Sequence, residues 1–254
     1  IMDLISVIMP FYKKKPYFFQ SLESVISQSY ANFEIIIVYD DKNFDDLAYI
    51  KSLVSNKKNI SIIINNENLG VAKSRNKGID YSKGKYIAFL DCDDVWLTDK
   101  LKLQYDFMKV NNYRITHTNY KIIDNENEII GKNISKEYLT YDQLINSCDI
   151  GLSTVMSKKE VFDVSRFKEI KTKEDYALWL ELSRKGENFI CLNQSLTLWR
   201  RTPKSLSSSF TNKFINAFKV YYYFEKKNLL MSFLLVINLG FHYIKKKIKQ
   251  KKNI

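Results

Sequence analysis

Three clusters of acids carry residue types that could do chemistry. The densest is Asp91-Cys-Asp-Asp94, which follows the apolar run Tyr86–Leu90. In an extended backbone side chains two apart point the same way, so Asp91 and Asp93 can converge. Converging carboxylates repel unless a cation or a shared proton intervenes. A divalent metal that also takes substrate phosphates is the usual solution, because Mg2+ uses one or two carboxylates plus phosphate oxygens. The same stretch also reads as a plain acidic turn capping a helix over Trp96–Asn111. The second cluster, Asp40-Asp41 with Asp45 and Asp46 close behind, ends the β-branched run Phe33–Tyr39. The third is Glu174-Asp175, at the head of the amphipathic segment Thr172–Leu182. Thr172 and Asp175 have capping-box spacing, which is a complete structural explanation for Asp175; the alternative is a general base facing a strand-end site. Arg200, Arg201 and Lys204, in the turn-forming stretch Leu198–Ser207, either neutralise a diphosphate or form a solvated basic loop.

The elements around these acids alternate. Leu4–Met9 is expected as a buried strand stopped by Pro10, followed by a helix over Tyr17–Ser29. Strands at Phe33–Tyr39, Ile60–Ile64 and Tyr86–Leu90 then alternate with helices at Leu47–Val54 and Val71–Tyr81. Such alternation predicts βαβ units and a mostly parallel sheet, with ligands bound beyond the carboxyl ends of the strands. Pro10-Phe-Tyr12, Asp40-Asp41 and Asp91–Asp94 each follow a strand and should gather at that edge. The second half is less regular: a hairpin of Ile115–Ile123 with Glu128–Lys132, a short helix Tyr141–Ser147 and a short strand Thr154–Ser157. Neither a P-loop nor a G-x-G-x-x-G fingerprint occurs, which argues against P-loop enzymes and dinucleotide dehydrogenases.

The net charge of +12 suggests polyanionic company, although six lysines between Lys245 and Lys252 supply half of it. The aromatic residues fall in apolar-periodic segments rather than between exposed basic residues, so nucleic acid is not the expected partner. Three widely spaced cysteines form no metal or disulfide pattern and fit a reducing, cytoplasmic setting. No basic region followed by an apolar stretch opens the chain, so no signal peptide is expected.

Together these segments resemble the family 2 inverting glycosyltransferases, over about Leu4 to Ser207. Pro10-Phe-Tyr12 is similar to the family's P-x-Y start, with Lys13 where Asn often follows. Phe33–Asp41 resembles the strand ending in paired acids, with Tyr39 in place of the first. Asn68-Leu-Gly-Val-Ala-Lys-Ser-Arg-Asn-Lys-Gly78 resembles N-x-G-x-x-x-x-R-N-x-G, and Asp91-Cys-Asp93 matches D-x-D. Glu174-Asp175 before Leu178-Trp-Leu180 matches the E-D motif, and Trp199-Arg200…Ser205-Leu-Ser207 is similar to Y-R-x-H-x-x-S-x-S, with Thr202 in place of His. The resemblance implies an α/β, GT-A-type nucleotide-binding sheet and a nucleotide-sugar donor, UDP-sugar favoured. It implies Mg2+ or Mn2+ on Asp93 and Asp91, donor contacts from Pro10, Tyr12, Asp40, Arg75, Asp91 and Cys92, and Asp175 as the base. A sugar nucleotidyltransferase is the second enzyme reading, and a non-catalytic basic nucleic-acid- or membrane-binding protein is the reading from another class.

The expected organisation is a catalytic domain over 1–210, with a donor half to about 110 and an acceptor half beyond, then a helical extension over 211–254. In that extension Asn212–Phe224 is aromatic-rich, and Leu229–Ile244 is nearly all apolar ahead of the lysines. Sixteen residues of helix reach about 24 Å, short of a roughly 30 Å hydrocarbon core. The expectation is an interfacial helix directed at an anionic membrane, on the cytoplasmic face of the inner membrane. A glycan or lipid-linked acceptor fits that location.

Overall fold

The computed structural model describes residues 2–202 and 210–252, with residues 210 and 249–252 described by backbone alone. The first half is β1 (Ile5–Phe11), α1 (Lys15–Ile26), β2 (Phe33–Tyr39), α2 (Leu47–Val54), β3 (Ile60–Ile64), α3 (Val71–Tyr81) and β4 (Tyr86–Phe89). Next come β5 (Val95–Trp96), α4 (Lys100–Asn111), β6 (Ile115–Ile123), β7 (Ile129–Asn133), β8 (Tyr138–Leu139) and α5 (Tyr141–Leu144). The chain continues through β9 (Met156–Lys158), α6 (Glu174–Arg184), β10 (Phe189–Arg200), α7 (Phe210–Lys219), a π-helical turn at Val220–Phe224 and α8 (Leu229–Lys252).

One sheet has the order β3-β2-β1-β4-β9-β6-β10-β5, with β7 beside β6 and β8 beside β10. β1 to β4 are mutually parallel, β9 runs against β4 and β6, and β10 is parallel to β6. The period of two divides the core. Ile5, Val7, Met9 and Phe11 face one layer with Phe18, Leu22, Leu101 and Met108. Ile8 faces the other, which holds Ala72, Ile79, Trp179 and Tyr221. Gly84 lets the turn before β4 pass close to β1; a Cβ there would lie 2.6 Å from the Ser6 nitrogen.

β1 does not stop at Pro10, which pairs in register with Val38. The Leu90 amide donates to the Ile8 carbonyl, so this side of β1 faces β4. Pro10 faces the same way, and its missing N–H costs no ladder bond because β4 has ended at Phe89. α1 starts at Lys15, earlier than expected, with Pro16 in its first turn. The helix expected from Trp96 starts at Lys100, because Val95 and Trp96 pair with Leu198 and Thr197. β10, twelve residues long, was not expected, and its last residues from Leu198 were read as a turn-forming stretch.

The tail also departs from expectation. α8 has 24 residues, about 36 Å at 1.5 Å per residue, so the length argument against a spanning helix fails. Leu229–Ile248 is long and apolar enough to cross a membrane by length and composition. It is nevertheless two-faced. Ser232, Val236 and Leu239 are buried against the domain, while Leu230, Leu234, Ile237, Phe241, Ile244 and Ile248, spaced four and three apart, are exposed. α7 and α8 share a core with α6 through Ala217, Tyr221, Val236 and Leu239, so the extension packs on the catalytic layer rather than standing apart.

Candidate active site

The ends of β2, β1 and β4 lie side by side and bring Asp40, Pro10-Phe-Tyr12 and Asp91 to one edge. Asp40 is buried, and its carboxylate accepts bonds from Asn65 Nδ2 at 2.8 Å, the Leu69 amide at 2.8 Å and the Gly70 amide at 2.9 Å. Gly70 sits at φ 85°, a left-handed position suited to glycine, where α3 begins. Asp40 thus braces the 65–70 loop at the strand edge. The Cys92 side chain packs in the core beside Leu90 and Trp96, and burial pushes its thiol well up. Tyr12 is exposed and Pro10 half-buried at the rim.

Arg75, expected to reach the donor, is 3% exposed. Its guanidinium donates to Glu174 Oε1 at 2.5 Å and to Asp91 Oδ1 at 2.7 Å. It therefore joins the D-x-D turn to the head of α6. Such a buried cation between two acids is costly to break, about 3–5 kcal/mol when one partner is removed. Burial pushes the Glu174 carboxyl up to about 7 against the opposing pull of Arg75.

Asp175 is not part of a capping box. The residue before α6 is Lys173, in the left-handed region at φ 72°, and no side chain caps the helix. The Thr172 hydroxyl instead accepts a bond from Asn216 Nδ2 in α7 at 2.9 Å. Asp175 Oδ1 accepts the Tyr176 amide at 2.7 Å. Burial raises the Asp175 carboxyl above the usual range, while Arg75 and Lys173 pull it back. A carboxyl raised in this direction is more basic than an ordinary carboxylate, which is what a general base calls for.

Asp94 locks the turn. Its carboxylate accepts Ser153 Oγ at 2.5 Å and the Arg200 amide at 2.9 Å. Ser153 also donates to nothing else here but receives the Asp91 amide on Oγ at 3.1 Å, so one serine serves both ends of the turn. Asp93 is paired with Lys14 Nζ, and its carbonyl accepts Arg200 Nε at 2.9 Å. The remaining Arg200 nitrogens bond Asp124 O, Gln20 Oε1 and Asn127 Oδ1, and the guanidinium stacks on Tyr17. Arg200 is a brace, not a free diphosphate cation. Arg201 is exposed, and Lys204 and Ser205–Ser207 lie outside the described residues.

Among the described residues no three His, Cys, Asp or Glu side chains form a metal cage. Asp91 and Asp93 nonetheless fit Mg2+ or Mn2+ by donor chemistry, since such ions need one or two carboxylates when substrate phosphates complete the shell. Sequence reasoning missed three site residues. Glu174 was visible as the acid before Asp175, but its bond to Arg75 spans 99 positions. Lys14 lies in a run of three lysines with nothing to single it out, and Ser153 sits in a short turn without a motif.

A model of the family described as "Glycosyl transferase family 2" matches residues 6–170. The chain is 36% identical over 213 residues to UDP-Glc:alpha-D-GlcNAc-diphosphoundecaprenol beta-1,3-glucosyltransferase WfgD of Escherichia coli, covering 83% of this chain and 81% of that protein. It is 30% identical over 246 residues to TuaG of Bacillus subtilis (strain 168), named as a glycosyltransferase of teichuronic acid biosynthesis, covering 96% of this chain and 98% of that one. Its fold is similar to the crystal structure of S. aureus TarS 1-349 in complex with UDP-GlcNAc, with a TM-score of 0.69 at 19% identity, over 85% of this chain and 66% of that chain.

Proposed function

The chain belongs to glycosyl transferase family 2, and on that premise we propose that it moves a hexosyl group from a nucleotide-diphosphate sugar, UDP-sugar favoured, to a hydroxyl of a lipid-linked glycan in bacterial surface polysaccharide synthesis. The observation that carries this reading is the Asp91–Arg75–Glu174 bridge, which ties the D-x-D turn to the start of α6, where Asp175 stands next in sequence. WfgD, by its name, uses a glucose donor on a diphosphoundecaprenol-linked sugar, which supports the donor and acceptor classes.

Pro10 and Tyr12 at the rim position the donor, while Asp40 and Arg75 hold the loops around it. Asp91 and Asp93 are the residues that would hold Mg2+ or Mn2+, which would supply positive charge against that of the leaving diphosphate. Asp175 accepts the proton of the acceptor hydroxyl as its oxygen attacks the anomeric carbon from the face opposite the nucleotide. The bond from that carbon to the β-phosphate oxygen breaks, and the configuration inverts. Burial of Asp175 suits it to this task, because the group is held without a cap of its own and its basicity is raised.

The outward stripe of α8 supports a peripheral membrane location. Six exposed large apolar side chains on one face, at about 1.5–3 kcal/mol each, represent on the order of 10 kcal/mol of burial still to be gained. Lys245 and Lys247 are exposed beside that stripe and suit an anionic surface. Lys246 differs: it continues the inward stripe and bonds Asp149 Oδ1 at 3.0 Å. α8 therefore lies along the membrane surface with its inner face on the catalytic layer.

A panel of nucleotide sugars with Mn2+ and a polyprenyl-diphosphate-linked GlcNAc acceptor tests the reading. One donor should give acceptor-dependent nucleoside diphosphate release, with a product of inverted anomeric configuration by NMR. Release of pyrophosphate instead would support a nucleotidyltransferase.

A further inference from the structure

The donor edge holds a cation that no motif contains. Lys14 follows Lys13, whose backbone is left-handed at φ 52°, a region that side-chain-bearing residues rarely adopt. This turn carries the chain from β1 into α1 with Lys14 at the residue before the helix. From there Lys14 Nζ donates to Asp93 Oδ2, in a pair whose side chains are 29% and 15% exposed.

Asp93 is otherwise poorly served for charge. Arg200 lies beside it but binds its carbonyl, and the rest of that guanidinium is committed to Asp124, Gln20 and Asn127. Arg75 is committed to Asp91 and Glu174. Among the described residues Lys14 is the cation paired with the Asp93 carboxylate. A mostly buried carboxylate needs such a partner, and a ligand approaching Asp93 must meet the ammonium that is already there. A diphosphate that arrives with a divalent ion brings both a rival for the carboxylate and new anionic oxygens for the ammonium. A flexible lysine with three rotatable donors can change partners over a short distance, which a guanidinium fixed by four bonds cannot.

We propose that Lys14 is a donor-positioning residue: it is the resident counter-cation of Asp93, and it reaches the donor's phosphate oxygens when the donor binds, giving up Asp93 altogether where a divalent ion takes its place. This rests on the donor reading given above. Two consequences follow in opposite directions. In the free protein Lys14 competes with a divalent cation for Asp93. In the complex it contributes to diphosphate binding even where no divalent cation is present.

The full chain with Lys14→Met and Lys14→Arg, beside the unaltered protein, separates these. Mn2+ alone at pH 8 is titrated by the EPR signal of the free ion, and UDP, with GDP as second probe, is titrated calorimetrically in excess EDTA. Lys14→Met should bind Mn2+ about tenfold more tightly and the nucleotide about tenfold more weakly, the ratio of one charge-assisted hydrogen bond. Lys14→Arg should stay within about threefold of the unaltered protein in both, because the charge is kept. A lysine that merely supports the fold would move both affinities the same way or neither, and either result overturns the proposal. If the unaltered protein binds neither Mn2+ nor a nucleoside diphosphate, the donor reading falls and this inference with it; if it binds both while Lys14→Met changes nothing, only the role of Lys14 is lost.

Discussion

The donor edge and the tail helix solve the problem of unsatisfied surface in opposite ways. At the donor edge the charges find partners within the chain: Asp40 on the 65–70 loop, Asp91 and Glu174 on Arg75, Asp93 on Lys14, Asp94 on Ser153 and the Arg200 amide. Buried charges left unpaired are expensive, so this edge is held in one arrangement before any ligand arrives. α8 is satisfied only on its inner face, where Val236 and Leu239 join the core and Asn238 bonds Asn146 Oδ1 at 2.6 Å. Among the described residues its outer face is exposed. The contrast separates residues that act by fixing geometry from residues that act by offering surface.

The largest break in this contrast should come from Asp175→Asn. Loss of a general base is worth about 100- to 10,000-fold, so kcat should fall roughly a thousandfold while metal-dependent nucleotide binding persists. Survival of transfer would return Asp175 to a structural role. Arg75→Met should follow, costing about 3 kcal/mol in urea unfolding at pH 8 because Asp91 and Glu174 lose their shared cation. This cost should shrink towards pH 5. The folded Glu174 carboxyl, already near 7, is raised further in the variant, so the folded state holds a proton that the unfolded chain has released. Stability then falls as pH rises from about 4.5 through the raised value.

The two faces of α8 allow a paired test. Leu239→Ala on the inner face should cost about 2–3 kcal/mol in unfolding. Ile244→Glu on the outer face should leave unfolding within about 0.5 kcal/mol yet weaken sedimentation with anionic vesicles. Equal stability losses from both would mean that the outer face is covered by protein. The smallest effect is expected from Lys173→Met. Lys173 pulls the Asp175 carboxyl down against burial, so its removal should shift the acid limb of kcat/KM to higher pH. A shift to lower pH, or none, would separate Asp175 from that limb.

Much of the donor half was legible because its signals are local. Apolar runs gave β1, β2 and β4 to within two residues, β2 and β4 leading into acids and β1 overrunning its expected stop at Pro10, and strand order then gathered those ends. β10 was the main loss. Its residues Phe189–Leu192 are apolar, but Asn193-Gln-Ser195 interrupts the pattern, and register shifts occur at that point of its pairing with β6. Local periodicity cannot show a strand held by a partner more than seventy residues away. The capping-box reading of Thr172 and Asp175 failed for a similar reason: Asn216, from the following helix, takes the Thr172 hydroxyl.

By itself, the sequence determined which residue types were present for chemistry, the alternation that builds a parallel sheet, and the apolar stripe of the tail, because all three depend on spacing along the chain. Only the tertiary structure decided which charge pairs with which. It gave Asp40, Arg75 and Arg200 partners within the chain, put Lys14 on Asp93, and divided α8 into a core face and an exposed face. The physical reason is distance in sequence. The pairings of Asp40 with Asn65 and of Arg200 with the Asp93 carbonyl span 25 and 107 positions, and a buried charge takes whatever partner the fold brings within about 3 Å.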